Sequence, residues 1–252
     1  MEKMITYESL RSFAYVNDQI CKQPVRGIVV SFFGLGTQDM FDADTAEGKF
    51  FAEKGILYVV PYNNPWAWMN RQAAAYTDEI LDVLVDRYGL EDEVPVVSTG
   101  GSMGGQSALV YMSYAKRTPV SCVANCPVCD AVFHFTERPD LPRTMYSALY
   151  YENGTLDEVL RSISPLHLIG KLPQVKYHIF HCSEDRAVNK ESHSDVFVEK
   201  MRQSGYDLTY DIVPGRGHCD LTEDMKVKYL QYAVEDVEGA AACKQGLTDG
   251  MF

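Results

Sequence analysis

Short, nearly continuous apolar runs alternate with segments of helical period along most of this sequence, and that rhythm constrains the fold more than any other feature. Arg26-Gly27-Ile28-Val29-Val30-Ser31-Phe32-Phe33 is one such run, ending in Gly34-Leu35-Gly36. A helical segment follows around Ala46 to Lys54, Gly55 stops it, and Ile56 to Pro61 reads as the next buried strand. Ala73 to Tyr88 places Ile80, Leu81, Leu84, Val85 and Tyr88 at helical spacing, with Gly89 at its C-terminal end. The same reading predicts strands at Pro95–Thr99, Val120–Ala124, Tyr177–His181 and Leu208–Val213. It predicts helices at Gln106–Lys116, Glu191–Ser204 and Thr222–Val237. Strands buried on both faces need no polar alternation, so the pattern predicts an α/β protein with a mostly parallel sheet and helices on both faces. The polar stretch Met4 to Val16 is expected to add antiparallel edge strands. One gap breaks the rhythm. Between the strands near 124 and 177 lies an irregular segment holding Pro139, Pro142, Pro165 and Pro173, with a helix expected at Thr155–Arg161. An insertion there falls over the carboxyl ends of the strands, where α/β folds bind ligands, so about 130–172 is expected to form a lid on a single domain spanning 1–252.

Charge and cysteine usage narrow the function. A net charge of −12 argues against nucleic acid and against anionic membrane surfaces, both of which need a basic face. The longest uncharged run, Val94 to Ala115, is interrupted by four glycines and several hydroxyls and makes a poor membrane span. The first eight residues carry two acids and no apolar core, so a secretory signal is not expected. Seven cysteines, an odd count in a chain large enough to fold without staples, fit a reducing cytoplasm.

Val96 to Gln106 contains G-x-S-x-G, as Gly100-Gly101-Ser102-Met103-Gly104, between a predicted strand and a predicted helix. Small residues two positions either side of a serine allow a turn so sharp that the hydroxyl projects from it at the start of a helix. The backbone N–H of Met103 is then free to donate to a developing oxyanion. The same stretch has the G-x-x-x-x-G-x-S spacing of a phosphate-binding loop, but Gln106 stands where the phosphate-contacting lysine belongs, which argues against nucleotide binding.

A serine hydroxyl needs a base to become nucleophilic. Of six histidines, His178 and His181 fall in a predicted strand and His193 in a predicted helix, positions that suit structural roles. His218 sits in Pro214-Gly215-Arg216-Gly217-His218-Cys219-Asp220, a glycine-rich loop directly after the last strand. An acid must orient the imidazole, and the loop leaving the penultimate strand offers Glu184 and Asp185. Serine, then acid, then histidine, each following a successive strand, is the chain order of α/β-hydrolases.

These residues resemble the α/β-hydrolase superfamily, and within it the compact relatives of the prolyl-oligopeptidase-like and dienelactone-hydrolase-like serine esterases. Gly100 to Gly105 is similar to the nucleophile elbow of that branch. Ser164-Pro165, Leu172-Pro173 and His181-Cys182-Ser183-Glu184-Asp185-Arg186-Ala187-Val188 resemble its S-P…P…H-G-x-x-D-x-x-V stretch, and Gly217-His218 its G-H. The resemblance covers roughly Val25 to Val237 and implies Ser102 as nucleophile, Asp185 as acid and His218 as base. Where the branch has His-Gly before its oxyanion loop, this chain has Phe33-Gly34-Leu35-Gly36. The second oxyanion donor is accordingly expected at the Leu35 N–H, with Gly34 its alternative. Cys182 replaces the usual glycine before the acid.

Substrate-contacting candidates come from Pro61 to Asn70, placed after a strand expected to neighbour the nucleophile strand. Tyr62, Trp66 and Trp68 there offer aromatic walls, and Tyr146, with Tyr150 and Tyr151, is placed in the lid to cap the same pocket. Lid acids Glu137 and Asp140, if inward-facing, would hold a substrate ammonium and favour peptides over esters. Cys126-Pro127-Val128-Cys129 is a C-x-x-C motif. Without a second such pair it reads as thiols packing beneath the lid rather than as a zinc or redox site. No metal and no cofactor is implied. The expected activity is hydrolysis of a carboxylic ester on a small-molecule substrate. A small peptidase acting on short peptide, aminoacyl or acyl-amino substrates is the alternative, and a non-catalytic hydrolase-fold binding protein the third reading. The sequence leaves the oligomeric state open.

Overall fold

The computed structural model describes residues 5–37, 39–90 and 94–248, with side chains up to 242. Met4, part of the proposed edge-forming stretch, lies outside them. In chain order the strands are β1 (Ala14–Val16), β2 (Gly27–Phe32), β3 (Ile56–Pro61), β4 (Val96–Gly101), β5 (Ser121–Asn125), β6 (Lys176–Cys182) and β7 (Leu208–Val213). They form one sheet in the order β1-β3-β2-β4-β5-β6-β7, parallel except for β1, which pairs antiparallel with β3. The N-terminal stretch thus supplies a single short edge strand. β3 is separated from the nucleophile strand β4 by β2, which corrects the expectation that the two are neighbours.

Each inner strand is buried on both sides, which explains the unbroken apolar runs. Ile28, Val30 and Phe32 of β2 join one hydrophobic cluster while Val29 joins another on the opposite face. Cys122 and Ala124 of β5 divide from Val123 in the same way. Helices α2 (Arg71–Tyr88), α3 (Met103–Tyr114) and α8 (Val196–Gln203) cover the first face, and α1 (Ala46–Ala52) and α9 (Glu223–Thr248) the second. α2 starts where Asn70 accepts from the Ala73 N–H and stops where Gly89 takes the left-handed conformation that glycine adopts without strain. A single π-type turn, Glu191–Asp195, leads into α8 where the sequence predicts one continuous helix.

The segment between β5 and β6 is more regular than its prolines suggest. It forms α4 (Ala131–Glu137), α5 (Leu141–Leu149), α6 (Leu156–Ser162) and α7 (Pro165–Leu168), with Thr155 and Glu158 making a reciprocal cap at the start of α6. Its apolar faces pack with Trp68, Met103 and Val188 into a third cluster that includes Leu141, Met145, Leu149, Leu160 and Ile163. Each fully buried side chain of this size is worth roughly 1.5–3 kcal/mol, so the segment is seated on the carboxyl ends of the strands. The buried Gln106 of α3 reinforces the seat, donating from Nε2 to the carbonyls of Trp68 (3.1 Å) and Ile163 (2.7 Å).

Candidate active site

The site begins with a backbone turn. Ser102 follows β4 directly and sits at φ 59°, ψ −125°, a conformation that costs a non-glycine residue about 1–3 kcal/mol and that the surrounding packing must hold. The two motif glycines are what permit it. A Cβ on Gly100 would lie 2.3 Å from the Gly104 carbonyl oxygen, and one on Gly104 would lie 2.0 Å from the Phe32 carbonyl oxygen. Small residues are therefore required so that the start of α3 can press against the end of β2.

Across this turn the chain brings its three expected residues into one line. His218, in the loop after β7, has Nε2 at 2.8 Å from Ser102 Oγ and Nδ1 at 2.6 Å from Asp185 Oδ2. The Asp185 side chain is fully buried, and its other oxygen accepts from the backbone N–H groups of Ala187 (2.8 Å) and Val188 (2.9 Å). With Nδ1–H committed to Asp185, Nε2 is left to accept from the serine. Glu184, the alternative acid, is exposed, and His218 Nδ1 is hydrogen-bonded to Asp185 instead.

Electrostatics follow the contacts. Burial raises the Asp185 pKa, but hydrogen bonds from His181 and His218 and from the Val188 N–H override it and hold the carboxyl well below its usual range. Burial also opposes charge on His218, yet the Asp185 hydrogen bond and the neighbouring Cys126 raise it to about 9. The unprotonated form, the one able to take a proton, therefore grows as pH rises towards that value.

The Met103 N–H opens α3, and Leu35 lines the same cavity; among the described residues no backbone hydrogen bond is made by either N–H. Gly34 lies beside them, its would-be Cβ 3.9 Å from Ser102 Cβ. A cavity of about 470 Å³ opens over Ser102 and His218, walled by Phe32, Phe33, Leu35, Trp68, Met103 and Val188. It is of the size that holds a small ligand and is largely apolar.

Of the aromatic candidates, only Trp68 reaches this cavity, with its indole nitrogen donating to Thr144 at 3.2 Å. Tyr62 lines a separate cavity with Asn63, Asn70 and Glu79, and Tyr146 a third with Tyr150 and Leu156. Trp66 is 41% exposed and lines neither the catalytic cavity nor these two. Unexpected cavity residues are Phe32, Val128, His134 and Val188; Arg138, a lid charge of the kind expected to meet a charged substrate end, lines the cavity too. The H-x-x-E spacing of His134 and Glu137 is a local signal for His134 alone. Neither lid acid lines the catalytic cavity. Glu137 accepts from His134 and His193, and Asp140 accepts from Arg138 at 2.6 Å. Cys126 is buried and accepts from the backbone N–H groups of Cys182 and Cys219. With Cys21, Cys122, Cys129, Cys182 and Cys219 it is a free thiol.

A mostly parallel sheet with a serine on a strained strand-to-helix turn defines this chain as a serine hydrolase of the α/β class. It belongs to the prolyl oligopeptidase family, whose profile matches residues 72–235. Comparison with curated protein sequences gives no match. Among solved structures the chain is similar to puromycin hydrolase, at 16% identity and a TM-score of 0.70 over 86% of this chain and 34% of that one. It thus spans about a third of the length of that relative. It is also similar to esterase 2 of Thermogutta terrifontis, at 18% identity and a TM-score of 0.64 over 87% of this chain and 86% of that one. The third is an S-formylglutathione hydrolase from Agrobacterium tumefaciens, at 16% identity and a TM-score of 0.64 over 91% and 88% of the respective chains. At such identities the likeness is one of fold. No helix among the described residues is long and apolar enough to cross a membrane.

Proposed function

We propose that this chain hydrolyses a carboxylic ester through Ser102, His218 and Asp185. The observation that carries the reading is the unbroken hydrogen-bonded line from Ser102 Oγ through His218 to buried Asp185 at the floor of an apolar cavity. Ser102 Oγ attacks the acyl carbonyl while His218 Nε2 takes its proton, and Asp185 stabilises the imidazolium. The Met103 and Leu35 N–H groups hold the oxyanion, each such donor being worth about 3 kcal/mol in the transition state. His218 then gives the proton to the leaving alcohol, and water attacks the acyl-enzyme through the same base. The domain acts as one unit, with the helices of about 130–172 as a cap over the cavity, and the free thiols suit a reducing cytoplasm.

Esters rank above peptides because Glu137 and Asp140, the acids that would anchor a free α-amino group, do not line the catalytic cavity and are engaged with His134, His193 and Arg138. Membership of a peptidase family keeps aminoacyl and acyl-amino substrates as the second reading. We expect kcat/KM on short-chain aryl esters to exceed that on matched aminoacyl amides by at least about 100-fold, roughly 2.7 kcal/mol. A wide margin in favour of the amides would reverse the ranking.

A further inference from the structure

His134 faces the catalytic cavity from α4, and its hydrogen bonds fix which of its nitrogens can act. His193 Nδ1 accepts from the Asp130 backbone N–H at 3.2 Å, so the His193 proton is on Nε2, which donates to Glu137 Oε2 at 3.0 Å. That tautomer has no lone pair on Nε2 and cannot bind a metal there, although His134, Glu137 and His193 cluster as a metal site would. The same Glu137 oxygen lies 2.6 Å from His134 Nδ1. Burial raises the Glu137 carboxyl, but these two hydrogen bonds overcome it and bring it down to about 2. Glu137 is therefore an acceptor, and His134 Nδ1 carries the proton. Burial also lowers the His134 pKa to about 4, so its ring is neutral. What remains is His134 Nε2, a lone-pair acceptor with no hydrogen-bond partner among the described residues, on a ring that lines the cavity above Ser102. Two rings pack against it. It meets Trp68 edge-on at 5.8 Å and His193 edge-on at 5.2 Å between centroids.

We propose that His134 Nε2 is the recognition point of a substrate subsite that takes an ester whose aromatic acyl group carries a phenolic hydroxyl. This rests on the reading of Ser102 as nucleophile and names the substrate of that site. The walls Phe32, Phe33 and Trp68 suit an aromatic ring, and a bare imidazole nitrogen suits a neutral donor at its far end. Arg138 lines the same cavity and disfavours an ammonium, while the His134 lone pair disfavours a carboxylate. Glu137 is a positioning residue here, acting only through the tautomer it imposes.

Methyl para-hydroxyphenylpropanoate, its para-methoxy and para-carboxy analogues and the unsubstituted ester test this. The hydroxyl ester is expected to exceed the methoxy and unsubstituted esters by about tenfold or more in kcat/KM, since a site built around one hydrogen bond discriminates against analogues lacking it. His134→Phe keeps the ring and removes the acceptor, and should bring that ratio to about one; Glu137→Leu, which removes the oxygen both histidines donate to, should lower it as well, while Glu137→Gln can keep an amide oxygen there and should retain it. Turnover without a hydroxyl preference overturns the subsite and leaves the Ser102 reading standing. A preference for the carboxy ester overturns it in favour of Arg138. Calorimetry on Ser102→Ala with the hydroxyl and methoxy esters decides the subsite independently of turnover and of how the His134 variant folds. About tenfold tighter binding of the hydroxyl ester supports it, and equal affinities overturn it.

Discussion

Asp185→Asn is expected to lower kcat by about 10⁴ while Glu184→Gln stays within about twofold of the parent. The reason lies in how Asp185 is held. One oxygen accepts from the Ala187 and Val188 N–H groups, so in an asparagine the carbonyl must take that place and the amide NH₂ must face His218. A donor opposite Nδ1 forces the imidazole into the other tautomer, with its proton on Nε2, where it can no longer accept from Ser102. The variant keeps its shape and loses its base. Steady-state kinetics on any ester that the parent turns over provides the check. Equal losses in the two variants would mean that neither acid orients His218, and a large loss in Glu184→Gln alone would move the role to Glu184.

The second large effect is on stability. Gly104→Ala would set a Cβ at 2.0 Å from the Phe32 carbonyl oxygen and 2.8 Å from both the Phe32 carbonyl carbon and the Phe33 carbonyl oxygen. All three are backbone atoms at the end of a central strand, so relief requires moving β2 or α3 rather than turning a side chain. A loss of about 2–4 kcal/mol is expected, read as a fall in the urea midpoint at unchanged m. Gly170→Ala, whose Cβ meets nothing within 4 Å, serves as the comparison and should stay within about 0.5 kcal/mol of the parent. Equal midpoints for both variants would show that the elbow does not need its glycine.

The contrast between what could and could not be read in advance follows from the range of the interactions. Buried parallel strands announce themselves because both faces must be apolar, and β3 and β7 fall at Ile56–Pro61 and Leu208–Val213 as the apolar runs indicate. Ser102, Asp185 and His218 are legible because each sits at a fixed offset from a strand end, and strand ends converge. The order of strands is not local, so β3 was set beside β4 although β2 lies between them. The pocket walls fail for a related reason. Tyr62, Trp66 and Trp68 share one loop, and only its folding, held by the Gln106 hydrogen bond to the Trp68 carbonyl, decides which ring turns inward. The pairing of His134 and His193 through Glu137 joins α4 to the turn before α8 across 56 residues, and no local pattern carries that information.

The most direct test of the account is covalent. Treated with a fluorophosphonate, the parent protein is expected to gain one phosphonyl group per chain, mapped to Ser102 by peptide mass, while Ser102→Ala gains none. An unlabelled parent, or equal labelling of parent and variant, would contradict it.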